Sequence, residues 1–138
     1  MDQVRKNILI LDQDEKVLIE LERLLENEGF ETTTTWYLKE AVDLLAHREF
    51  DLVLVGDHPP QVRCSALLKM LRSRENRPPC IVLQTASRYP FEAQYLCWLG
   101  AYAVSAKSKY RDLVARIREC LNTAEASGTA PKRRTATA

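Results

Sequence analysis

Four short stretches place carboxylates, hydroxyls and a lysine directly behind apolar runs: Asp12-Gln13-Asp14, Gly56-Asp57-His58, Thr85-Ala86-Ser87 and Ser105-Ala106-Lys107-Ser108. Carboxylate oxygens suit a hard divalent cation, and a positioned carboxylate can also act as a nucleophile. The stretch DLVLVGDHPP, Asp51 to Pro60, raises the sharpest question. Its apolar run ends on Gly56, where a reactive side chain is expected, and Asp57 comes one position late. His58 precedes two prolines and has no partner at ligand spacing, so it reads as a loop residue rather than a metal ligand or phosphohistidine.

These stretches need elements to hold them. NILIL (7–11) is a short, wholly apolar run, as in a parallel strand covered on both faces. Asp14 suits a helix N-cap, and Val17, Leu18, Leu21, Leu24 and Leu25 form one helical face that Gly29 ends. FETTTTW (30–36) reads as a less buried strand at an edge. Leu38, Ala41, Val42 and Leu45 mark a second helix. DLVLV (51–55) is a third strand, and Cys64, Leu67, Leu68 and Leu71 mark a third helix closed by Arg77-Pro78-Pro79. CIVLQ (80–84) is a fourth strand. Pro90 suits the first turn of a fourth helix near 90–99. Gly100 ends it, AYAV (101–104) is a fifth strand, and Leu113, Val114, Ile117, Cys120 and Leu121 line a fifth helix.

Five such units predict a doubly wound parallel sheet, with functional residues beyond the carboxyl ends of the strands. That is where the four stretches fall. Residues 1–123 make one domain. From Ala124 the chain turns small, polar and basic (KRR at 132–134), and 124–138 reads as a disordered tail or linker stub.

Composition excludes several classes. A net charge of +1 gives no global field toward nucleic acid or membrane. Apolar runs fall far short of the roughly 20 residues of a membrane span, and no signal-peptide pattern opens the chain, so a cytoplasmic location is expected. The four cysteines are widely spaced and read as reduced, mostly buried thiols. The chain has no Gly-rich phosphate loop, no G-x-S-x-G and no triad, and the acidic first turn would repel a flavin phosphate, so a flavodoxin-like enzyme is disfavoured.

ILILDQD, DLVLVGDHPP, IVLQTAS and GAYAVSAKS, in that order and spacing, resemble the bacterial response-regulator receiver (CheY-like) family over residues 5–122. The resemblance implies a flavodoxin-like (βα)5 fold with strand order 2-1-3-4-5. It also implies transfer of a phosphoryl group from a histidine-kinase donor to an Asp with Mg²⁺, and signalling through the face of helix four, strand five and helix five. The family's paired acids fall on Asp12 and Gln13, and its phosphoacceptor falls on Gly56. Its Thr and Lys are Thr85 and Lys107, its following Pro is Ser108, and its aromatic switch is Val104.

Two carboxylates that such a metal needs are therefore an amide and a hydrogen atom. Asp12 alone is a poor Mg²⁺ site. Two unit charges 4 Å apart attract by about 4 kcal/mol at an effective dielectric near 20, so a Lys107–Asp12 pair can fill the metal's space. Asp57 would have to replace the nucleophile, and alternation along a strand aims it at the wrong face unless Gly56 twists the chain. The expected pocket is thus degenerate (Asp12, Gln13, Gly56, Asp57, Thr85, Lys107), with no cofactor and Mg²⁺ disfavoured. Any metal would fall to Asp12, Asp57 and His58.

Function then rests on a surface. Phe91, Tyr95 and Trp98 recur at i, i+4 and i+7 on a helix apolar nearly all round, and Tyr102 can extend the patch. A phosphorylation-independent module is expected, not an enzyme. It would contact a protein partner, a second copy or a histidine kinase through helix four, strand five and helix five. The alternative is an active phosphoacceptor using Asp57 with Mg²⁺.

Overall fold

The structure is a computed structural model that describes residues 5–57, 64–84, 92–106 and 110–127. Within them, strands and helices alternate: β1 (Asn7–Leu11), α1 (Glu15–Asn27), β2 (Glu31–Thr35), α2 (Leu38–His47), β3 (Leu52–Gly56), α3 (Cys64–Arg72), β4 (Cys80–Gln84), α4 (Glu92–Trp98), β5 (Ala103–Ala106) and α5 (Tyr110–Ser127). The strands form one parallel sheet in the order β2-β1-β3-β4-β5.

Alternation along each strand sends neighbouring side chains to opposite layers. Leu9, Leu11, Val53, Val55 and Val82 pack with α2, α3 and α4. Ile8, Ile10, Leu52, Leu54, Ile81 and Leu83 pack with α1 and α5. Every residue of β3 and β4 is buried, which explains why those strands read as continuous apolar runs. The edge strand β2 keeps Thr32, Thr33 and Thr34 half-buried.

Local signals set the boundaries. Asp14 caps α1 by accepting from Lys16 N at 2.9 Å. Gly29, with φ +92°, carries the turn after it. The expectation for the fifth strand is corrected by two residues, from 101–104 to Ala103–Ala106. Ala101 N still donates to Leu96 O, closing α4, and the ladder opens where Tyr102 N donates to Cys80 O. An apolar run thus covers both a helix exit and a strand entrance. Helix α5 continues past Leu121 to Ser127, through Ala124-Glu125-Ala126, which are strong helix formers. Cys64, Cys80 and Cys120 are buried free thiols, and Cys97 is an exposed one.

Candidate functional site at the carboxyl edge of the sheet

Leu11 stands opposite Val55 in the register of β1 and β3, so the next positions, Asp12 and Gly56, are neighbours at the rim. Asp12 N donates to Thr35 O at 3.2 Å, which keeps the residue in line with the sheet. By alternation Asp12 shares the face of Ile8 and Ile10, toward α1 and α5. It is fully buried. Its Oδ1 accepts from Asp14 N at 2.8 Å, one of the bonds that offsets the cost of burying a carboxylate. Gln13 is exposed to solvent. Tyr110, at the start of α5, packs half-buried on the same layer. Burial pushes its phenol up, and the charges of Glu20, Asp12 and Asp14 push the same way.

Asp57 sits differently. Its N–H donates to Leu83 O at 3.0 Å, so the ladder runs one residue past Gly56. Among the described residues the glycines with positive φ are Gly29 and Gly100, so Gly56 makes no twist of that kind. Alternation therefore holds, and Asp57 lines up with Val53 and Val55 toward α3. Its Oδ1 accepts from Cys64 N, the first residue of α3, at 3.4 Å. That is the weak end of hydrogen-bond range. The Cys64 thiol is pushed far up by burial, with the Asp57 carboxylate adding to the shift.

The carboxylates of Asp12 and Asp57 thus belong to opposite faces of the sheet. Among the described residues, no group of three His, Cys, Asp or Glu side chains is placed to hold a metal ion. His58, Thr85, Lys107, Ser108 and Phe91 lie outside the described residues. Val104 is half-buried against the layer of α2, α3 and α4.

The aromatic residues divide. Tyr95 and Trp98 are 49% and 70% exposed, with rings 6.2 Å apart and nearly parallel, and the Arg72 guanidinium lies 5.7 Å from the Trp98 ring centre. Trp98 thus meets the end of α3. Tyr102 instead packs half-buried against the α1 and α5 layer and donates from its hydroxyl to Glu119 Oε1 at 3.2 Å. Helical spacing does not single out a second exposed pair at the end of β2, Trp36 and Tyr37, with ring centres 6.5 Å apart. Two bulky aromatics directly after a threonine-rich edge strand are the signal that could have found it. Among the described residues, no helix is long and apolar enough to cross a membrane.

Comparison with known proteins agrees with this architecture. Residues 8–118 match the family model for the response regulator receiver domain. The response regulator SaeR of Staphylococcus aureus is 29% identical over 116 residues, covering 83% of this chain and 50% of SaeR. The transcriptional regulatory protein YkoG of Bacillus subtilis is 29% identical over 115 residues, with the same coverage of 83% and 50%. The chain therefore spans about half the length of these curated relatives. A CheY-like receiver domain from Methanospirillum hungatei superposes with a TM-score of 0.81 at 25% identity, covering 90% of this chain and 99% of that one. With the sheet order, the match over 8–118 and these relatives in agreement, the chain belongs to the response regulator receiver domain family, the signalling module of two-component systems.

Proposed function

We propose that this receiver signals through protein contacts without accepting a phosphoryl group at the end of β3. The observation that carries the reading is the placement of its acids. Gly56 offers no side chain beside Asp12, and Asp57 is directed to the other face, onto the first N–H of α3. A carboxylate nucleophile, its metal and its charge-neutralising donors must converge on one point. Mg²⁺ wants near-octahedral oxygen ligation anchored by one or two carboxylates. Here the second family acid is the exposed amide of Gln13, and Asp12 Oδ1 already serves Asp14 N. The donor set does not fit the metal.

What supports a contact role is the exposed Tyr95–Trp98 pair, too large and too exposed to be core. The test is intact mass after incubation with Mg²⁺ and a small-molecule phosphodonor. Unmodified chain is expected. A species heavier by one phosphoryl group, absent from Asp57→Ala, would establish the alternative of phosphorylation at Asp57.

A further inference from the structure

A second site lies at the opposite edge of the sheet, by the amino end of β4. The last turn of α3, the segment 75–79 and the end of α4 enclose a cleft of about 510 Å³. Its floor is Leu68, Leu71, Cys80 and Leu99, all buried, and Trp98 forms one wall. That volume lies within the roughly 300–1,000 Å³ of small binding pockets.

The rim is cationic. Residues 69–77 carry Lys69, Arg72, Arg74 and Arg77 against one acid, Glu75, in a chain whose net charge is only +1. Arg74 is turned away, donating from Nη1 to Leu45 O at 2.7 Å. Arg72 and Arg77 line the cleft together with the one acid, Glu75, which leaves the lining net positive. Arg77 Nη1 donates to Arg72 O at 3.1 Å and Arg74 O at 3.3 Å. Those bonds use one nitrogen of a five-donor fork and hold the rest in place. Arg72 is steadied over the Trp98 ring. Among the described residues, neither Arg72 nor Arg77 is bonded to a carboxylate. Two guanidinium groups fixed beside an apolar floor bind with less ordering cost than free ones.

We propose that this cleft docks an acidic segment of a partner protein, with one aromatic or aliphatic side chain on the apolar floor and carboxylates on Arg72 and Arg77. This names a surface for the contact role proposed above, and it does not depend on the chemistry at Asp57, which lies at the other end of the strands.

The test titrates the isotope-labelled chain with short peptides of Asp and Glu around one central Phe, Trp or Leu, following amide shifts. Controls carry Lys for the acids, or Ala at the centre. Saturable shifts are expected at Leu71, Arg72, Arg77, Cys80 and Trp98–Gly100. Binding is expected to weaken roughly tenfold in Arg72→Glu, as for loss of a charge-assisted contact, and likewise in Trp98→Ala and with Ala-centred peptides. Both variants change exposed side chains, and Arg77→Gln provides a third. No saturable shift with any acidic peptide would overturn the proposal. So would equal binding of the Lys peptides, the same shifts from an oligothymidine, or sedimentation showing a second copy of the chain in the cleft. Phosphoryl transfer to the chain would alter none of these readings, so the two proposals fail separately.

Discussion

The two ends of the sheet each bury a carboxylate, and each puts it to work on the backbone. At the amino edge Asp51, 4% exposed, accepts from Asn7 N at 2.7 Å, while its own N–H donates to Asn7 O. At the carboxyl edge Asp12, 0% exposed, accepts from Asp14 N at 2.8 Å. The two ends differ in their next residues. After Asp51 the chain enters the apolar interior of β3. After Asp12 it turns into Gln13 and Asp14 at the rim, and Gly56, the neighbour of Asp12 on the next strand, offers no side chain there. A buried acid at a strand end is first a backbone acceptor, and becomes a reaction centre only with a converging partner.

The contrast between the two ends is broken most completely by supplying that partner. Gln13→Asp combined with Gly56→Asp places two carboxylates beside Asp12, and saturable Mg²⁺ binding by calorimetry is expected from this variant, with none expected from the native chain. Gly56→Asp alone is expected to bind more weakly than the pair. The next largest effect is on stability. Asp51→Ala takes the carboxylate acceptor from the half-buried Asn7 N–H and is expected to cost about 2 kcal/mol in urea unfolding. Asp12→Ala is expected to cost a similar amount. If it stabilised the fold instead, Asp12 would be held under strain for chemistry rather than for structure. The smallest effects come from the helix caps. Asp14→Ala is expected to cost about 1 kcal/mol and Asp57→Ala about half that, because the Asp57 bond to Cys64 N is long at 3.4 Å against 2.9 Å for Asp14 to Lys16 N.

Much of this arrangement can be read in the residues. Apolar runs in β1, β3 and β4 and the helical spacing of α1 and α5 predict the sheet and its layers, because burial on both faces leaves no polar position to confuse the period. The opposed faces of Asp12 and Asp57 come from strand alternation alone, once β3 is known to run straight through Gly56. The fifth strand slips by two because Ala101 and Tyr102 are as apolar as the strand itself, and only the bonds to Leu96 and Cys80 separate helix exit from ladder. Proximity in sequence groups Tyr102 with Trp98. The bend between them sends Tyr102 to α5 while Trp98 meets Arg72. The cleft is illegible in sequence because its walls come from the ends of α3 and α4, which only the tertiary fold brings together.

The most direct measurement is the amide spectrum of the native chain with and without Mg²⁺ and beryllofluoride, a mimic of the phosphoryl group. Unchanged signals for Asp12, Gln13, Gly56 and Asp57 are predicted. Shifts clustered at those residues, present in the native chain and lost in Asp57→Ala, would contradict the account.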